Sequence, residues 1–253
     1  MAQGRCPGMV HLVGAGPGNP ELITRKGARL IEAAEVILYD SLVNPALLDL
    51  ARPEAELIFA GKRRDNHFMR QYEINRLRVE RAWAGQRVVR LKGGDPMIFG
   101  RAGEELEALA THGVPFEVVP GVTAAAGCAA AAAIPLTHRD HAQTLILATG
   151  HAKDGEPDLD WQALCRPRQT LVFYMGHNAL PALCARLTEN GLASSTPAAM
   201  IESGTLPGQR VIRGTLADLP PKVAASRLRG PALLIIGDVA AVLERAMAEH
   251  TGD

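Results

Sequence analysis

The residues best suited to chemistry in the first half of the chain sit in four turns: Gly14-Ala15-Gly16-Pro17-Gly18, Asp40, Gly61-Lys62-Arg63 and Lys92-Gly93-Gly94-Asp95-Pro96. Each closes a short apolar run: Val10 to Val13, Val36 to Tyr39, Leu57 to Ala60 and Val88 to Leu91. A carboxylate and an ammonium brought together shift each other's proton affinity and can work as base and acid, so Asp40 and Lys62 form a candidate pair. All four ends carry glycine or charge. Taken singly, each turn also has a structural explanation, because glycine ends strands for conformational reasons and a charged residue there is commonly solvated. Their convergence in one crevice is what would give them a function.

The elements that must bring them together follow from the hydropathy pattern. Short apolar runs alternate with amphipathic stretches at Glu21 to Ala34, Gln71 to Trp83 and Glu104 to Thr111, a βαβ rhythm. Runs apolar at successive positions predict parallel strands covered on both faces. In such sheets ligands bind beyond the carboxyl ends of the strands, where the four turns lie. After Phe116 to Val119, Pro120-Gly121 breaks the pattern, and Thr123 can cap the Ala-rich helix that follows. The expected division is therefore an N-terminal α/β domain over 1–121 with a mostly parallel sheet and a C-terminal α/β domain over 122–253 with a mixed sheet. The later strands are expected at Thr144 to Ala148, Thr170 to Tyr174, Ala198 to Ile201, Arg210 to Arg213 and Ala232 to Ile236.

A nicotinamide or flavin enzyme is the first rival, since it too needs a glycine-rich turn after one strand and an acid after the next. The glycine spacing fails: the third position of the fingerprint is Asn19, and Pro17 has no N–H to give a phosphate. His138, His141 and His151 have a spacing more usual for surface or substrate-binding residues than for metal ligands, and no serine-hydrolase elbow or P-loop is present. Basic and acidic residues number 27 each, which leaves no global field for nucleic acid or an anionic membrane. Of the basic residues 22 are Arg, whose planar fork suits carboxylates, although a GC-rich genome yields the same bias. The four cysteines show no paired spacing and are expected to be reduced thiols, and no signal peptide or membrane span is expected, which points to the cytoplasm.

Beyond these features the chain resembles the uroporphyrinogen-III C-methyltransferases within the tetrapyrrole methylases. The resemblance rests on an ordered set of segments: Val13 to Pro20, Tyr39-Asp40, Gly61 to Arg63, VRLKGGDPMIFG over Val89 to Gly100, RAGEE over Arg101 to Glu105, VPGVT over Val119 to Thr123, IPLTHR over Ile134 to Arg139, Thr149 to His151, Tyr174 to Gly176 and IESGT over Ile201 to Thr205. It implies two α/β domains with the active site in the cleft between them, and no resident metal. It implies S-adenosylmethionine as methyl donor and S-adenosylhomocysteine as product, touching Pro17, Gly93, Gly94, Asp95, Ile98, Thr123, Ala124, Met175 and Gly204. Methyl groups would pass to C2 and C7 of uroporphyrinogen III to give precorrin-2, for sirohaem, cobalamin or haem d1.

The resemblance further implies that Asp40 accepts a proton and Lys62 donates one, and that Arg101 and Glu104 act in substrate binding and proton abstraction. Arg101 fits an orienting role, since a guanidinium is too weak an acid to serve as base. Arg139, His151 and Met175, with Arg101 and Glu104, are the implied substrate contacts. Two departures stand out: Ser41 replaces an Arg of some relatives, and Ala124 opens an Ala-rich run where others carry Ser and Pro. A homodimer is implied, with no nucleic-acid or membrane partner. The dehydrogenase and chelatase module fused to some relatives is not seen, so precorrin-2 is the expected end product. The rivals retained are a later tetrapyrrole methylase, such as a precorrin-4 enzyme, and a nucleotide-binding protein without methylase activity.

Overall fold

The protein is described from a computed structural model, which covers residues 6–61, 69–151 and 157–250. The chain divides into two compact units, Met1–Ala124 and Ala125–Asp253.

In the first unit, strands β1 (Val10–Gly14), β2 (Val36–Tyr39), β3 (Glu56–Phe59), β4 (Val88–Lys92) and β5 (Phe116–Val119) form one sheet in the order β3-β2-β4-β1-β5. Every pairing in it is parallel. Helices α1 (Arg25–Ala33), α2 (Gln71–Trp83) and α3 (Ala102–Thr111) supply the crossovers. Alternate residues of each strand face opposite ways, and the two apolar clusters follow that period. Val10, Leu12, Val36, Leu38 and Val88 pack with Ile74, Val79 and Ala82 of α2 and Leu109 of α3. Val13, Ile37, Val89 and Leu91 pack on the other face with Ile31 of α1 and with Leu47.

The amphipathic stretch expected over Glu21 to Ala34 is not one helix. A 3-10 turn, Pro20–Leu22, comes first, Ile23 and Thr24 are extended, and α1 begins at Arg25. The break has a local cause: Thr24 takes a β conformation and its hydroxyl accepts from Gly27 N at 3.0 Å, capping a new helix.

The second unit holds α4 (Ala124–Ala131), β6 (Thr144–Thr149), α5 (Trp161–Leu164), β7 (Gln169–Tyr174), α6 (Leu180–Glu189), β8 (Pro197–Glu202), β9 (Arg210–Thr215), α7 (Leu219–Ser226), β10 (Ala232–Ile236) and α8 (Val242–His250). Its sheet runs β6-β7-β10-β8-β9. The β6–β7 pair is parallel, and the β7–β10, β10–β8 and β8–β9 pairs are antiparallel, a mixed sheet. Phe173, Leu183, Leu187, Met200, Leu219 and Leu234 are central to its core. Among the described residues no helix is long and apolar enough to cross a membrane.

Candidate functional site

Parallel pairing of β1 with β4 places their terminal turns side by side, and the two turns are joined by backbone hydrogen bonds. Gly16 N donates to Gly94 O at 3.2 Å and Gly94 N to Gly16 O at 2.7 Å, while Ala15 N donates to Lys92 O at 2.8 Å. Gly16 and Gly94 both take positive φ, +79° and +68°, a conformation that a side chain would strain. The segment after β5 closes on the same spot: a Cβ at Gly121 would stand 2.3 Å from Gly94 O, and one at Gly14 2.5 Å from Gly121 N. Asp95 fastens the arrangement, accepting from Gly121 N at 3.0 Å through one oxygen and from Met97 N at 2.8 Å through the other. These bonds leave lone pairs of the carboxylate free for a ligand. Pro17, Gly93, Ile98, Thr123 and Ala124 are all partly exposed around this knot.

The dinucleotide alternative fails on local structure as well as on spacing. Asn19 Oδ1 accepts from Glu21 N at 3.0 Å and starts the 3-10 turn, and Thr24 Oγ1 takes the Gly27 amide in the first turn of α1. A pyrophosphate loop would need those donors open.

Asp40 lies at the end of β2. Its Oδ1 accepts from Leu42 N at 3.0 Å and its Oδ2 meets Arg90 Nη2 at 3.3 Å. Lys62, its expected partner, lies outside the described residues. Arg90 instead links Asp40 to a charged cluster that the sequence reading missed. On β4 the side chains of Val88, Arg90 and Lys92 share the face covered by α2 and α3, and only the first is apolar. Glu105 of α3, with 0% exposure, meets Arg78 of α2 at 3.0 Å, Lys92 at 2.8 Å and Arg90 at 3.5 Å. Burial by itself would raise the Glu105 carboxyl, but Arg78, Arg90 and Lys92 outweigh it and hold the group below the usual carboxylate range. Burial also pulls the Arg78 guanidinium down to about 10.

This cluster is expected to make the first unit acid-sensitive. Because Glu105 titrates lower in the folded than in the unfolded chain, the unfolded chain takes up the proton first. Stability is therefore full above the unfolded carboxylate range and falls as pH drops through the folded value. Urea unfolding at stepped pH should show the midpoint falling on acidification below that range. A chain carrying Glu105→Gln should lack most of this dependence.

Arg101 and Glu104 are brought together, but on the surface. Arg101 Nε and Nη2 donate to the two carboxylate oxygens of Glu104 at 2.8 and 2.6 Å, and both side chains are more than half exposed. The hydrogen bonds from Arg101 hold the Glu104 carboxyl low, so it stays ionised at neutral pH. The turn leading into them is strained: Phe99 and Arg101 adopt φ of 52° and 55°, in the left-handed region. It also exposes two large apolar side chains, Met97 and Phe99.

The remaining expected contacts belong to the second unit. Met175 follows β7 with φ 55° and is 52% exposed, unusual on both counts for a long apolar residue. The Tyr174 hydroxyl accepts from Ala125 N at 3.0 Å, tying the start of α4 to the same strand end. His151 is exposed, with its backbone N–H on Thr149 Oγ1 at 3.1 Å, and Arg139 is exposed as well. The His138 and His141 rings lie 4.6 Å apart, and among the described residues no group of three His, Cys, Asp or Glu is placed to hold a metal ion.

Gly204 is buried against Cys128, whose sulfur would stand 2.3 Å from an added Cβ. Its φ lies outside the left-handed range, so the cost of a side chain there is purely steric. Gly204→Ala is expected to destabilise the second unit by about 1–3 kcal/mol, the usual range for overpacking. Adding Cys128→Ala should recover most of that, which thermal unfolding of the single and double variants would measure.

A parallel α/β unit with a glycine knot at its strand ends, followed by a mixed-sheet α/β unit, defines a two-unit α/β protein. The family model for tetrapyrrole (corrin/porphyrin) methylases matches residues 9–220. The chain belongs to the tetrapyrrole methylase family. It is 58% identical over 232 residues to a siroheme synthase of Azotobacter vinelandii, covering 92% of this chain and 50% of that protein. The chain thus spans about half the length of the curated relatives it matches. Among solved structures it is similar to a uroporphyrin-III C-methyltransferase of Thermus thermophilus complexed with S-adenyl homocysteine, with TM-score 0.78, 39% identity, and 93% and 94% of the two chains covered. It is also similar to a cobalt precorrin-4 methyltransferase, with TM-score 0.83, 30% identity, and 92% and 95% covered.

Proposed function

We propose that this chain transfers methyl groups from S-adenosylmethionine to C2 and C7 of uroporphyrinogen III, forming precorrin-2 and S-adenosylhomocysteine. The observation that carries the reading is the glycine knot at the ends of β1 and β4, closed by Gly121 and braced by Asp95. It offers backbone at close range and one carboxylate, with a proline where a pyrophosphate loop needs an amide. The residues fit the donor: Pro17, Gly93, Gly94, Ile98, Thr123 and Ala124 would line its first-unit contacts, Asp95 would take its amino group, and Met175 and Gly204 would supply the second-unit contacts. When bound, S-adenosylmethionine supplies an already activated methyl group on a sulfonium.

The protein's own work is then orientation and proton transfer. Asp40 would accept the proton lost from the alkylated macrocycle. The bidentate fork of Arg101, with Glu104, would exchange its mutual pairing for contacts to the substrate's carboxylates and pyrrole N–H groups, and Arg139 and His151 would hold other carboxylates. The exposed apolar side chains of Met97 and Phe99 suit the flat body of such a ring. The proposed working state is a cytoplasmic homodimer acting on a small molecule rather than on nucleic acid. Equal numbers of basic and acidic residues support the last point.

The test is anaerobic incubation with S-adenosylmethionine and either uroporphyrinogen III or a later precorrin, with products read by mass. Gain of two methyl groups on uroporphyrinogen III supports the reading. Methylation of the later precorrin alone would transfer it to the second reading, which the high backbone similarity to the precorrin-4 enzyme favours. Calorimetric binding of NAD without binding of S-adenosylhomocysteine would overturn both.

A further inference from the structure

We propose that Arg90 is a positioning residue for the carboxylate of Asp40, held in place from inside the protein by Glu105; this rests on the methyl-transfer reading, in which Asp40 accepts the proton. Arg90 is 4% exposed and lies in the middle strand of a parallel sheet, where apolar residues pack more readily than a guanidinium. Stability alone does not account for an arginine there, since buried ion pairs are commonly matched or bettered by apolar side chains of similar size. Nor is Arg90 required to neutralise Glu105, which already meets Arg78 at 3.0 Å and Lys92 at 2.8 Å.

What Arg90 does is reach across to β2. In the register of the two strands Arg90 lies opposite Leu38, two residues before Asp40 on the same face. Its Nη1 is fixed by donation to Leu91 O at 2.8 Å, and Glu105 stands at 3.5 Å from Nε, a charge contact without a hydrogen bond. That leaves Nη2 aimed at Asp40 Oδ2 at 3.3 Å. With Leu42 N on Oδ1, the carboxylate is gripped at both oxygens and its rotation is set. Asp40 is the most exposed member of the chain Arg78–Glu105–Arg90–Asp40, at 22% of its side chain, so the buried charges terminate at the group that reaches the surface. A base that must meet a proton on a bound carbon gains rate from being held at one angle.

Arg90→Met removes one cation and leaves Arg78, Lys92 and Glu105 paired, so the variant should fold. The assay is methyl transfer to uroporphyrinogen III by the full chain. Arg90→Met should lower kcat by roughly 30- to 100-fold, while KM and the S-adenosylhomocysteine dissociation constant stay within about 3-fold of the parent. Arg90→Lys, which keeps the charge but not the fork, should recover part of the loss. In an Asp40→Asn background Arg90→Met should cost less than about 3-fold more, because the group it positions is gone.

A full additional loss in that background, or unchanged kcat in folded Arg90→Met, would overturn the inference. Should Arg90→Met not fold, Arg90→Lys carries the same cycle with the same two outcomes. The underlying reading is tested separately. A parent chain that binds S-adenosylhomocysteine yet leaves uroporphyrinogen III unmethylated removes the reading and the inference together. An active parent whose Asp40→Asn variant is equally active removes the inference alone.

Discussion

Glu105→Gln is expected to destabilise the first unit by about 3–5 kcal/mol, the cost of stripping a buried ion cluster of its anion. Gln has nearly the same shape and can accept one hydrogen bond, so no cavity confuses the result. What changes is charge. Arg78, Arg90 and Lys92, with exposures of 0%, 4% and 5%, would be left with Asp40, which only Arg90 reaches. Arg78→Met added to Glu105→Gln should recover part of the loss by removing one stranded cation. The chain has two tryptophans, Trp83 on α2 and Trp161 on α5, so a Trp161→Phe background leaves a fluorophore that reports on the first unit alone. Urea unfolding followed in that background should show the midpoint collapse. An unchanged midpoint would mean that water or rearranged side chains neutralise the three cations.

Asp40→Asn is expected to reduce methyl transfer by about 10²- to 10⁴-fold, the range for loss of a positioned proton acceptor. The substitution keeps the side-chain volume, and its carbonyl can still accept from Leu42 N, so the end of β2 should hold its shape. Basicity is what goes. Binding of S-adenosylhomocysteine should stay within about 2-fold, because none of the proposed donor contacts lies on the turn after β2. Calorimetry beside a single-turnover assay separates the two quantities. Equal loss in both would assign Asp40 to holding the donor rather than to proton transfer.

The first sheet was legible because its signal is local. Val36 to Tyr39 and Phe116 to Val119 are strands at the bounds expected from apolar runs, and the glycine-rich turns lie at strand ends, as parallel pairing demands. The second sheet's mixed character was also expected from its strand series. What escaped was whatever depends on the phase of an element. Glu104 and Glu105 are adjacent, yet one turns outward to Arg101 and the other is fully buried, because a helix rotates about 100° per residue.

The clue was present: Ala102, Glu105 and Leu109 fall at the spacing of one helix face, and all three are buried. A charge on an apolar stripe needs a partner. Arg90, in a run read simply as apolar, was the complementary clue, since a charged side chain inside a sheet covered on both faces cannot go unmatched. The break at Thr24 escaped for a different reason. Helical spacing continues across it, and only the competition of one hydroxyl for a backbone amide ends one turn and begins another.

The glycine knot has a consequence for the thermodynamics of ligand capture. Three chain segments, at the ends of β1, β4 and β5, touch backbone to backbone at Gly14, Gly94 and Gly121. Their conformational freedom is surrendered when the first unit folds, not when a ligand arrives. For the proposed methyl donor, binding at these turns is then expected to carry little loop-ordering cost, and its heat-capacity change to reflect the surface the donor itself covers.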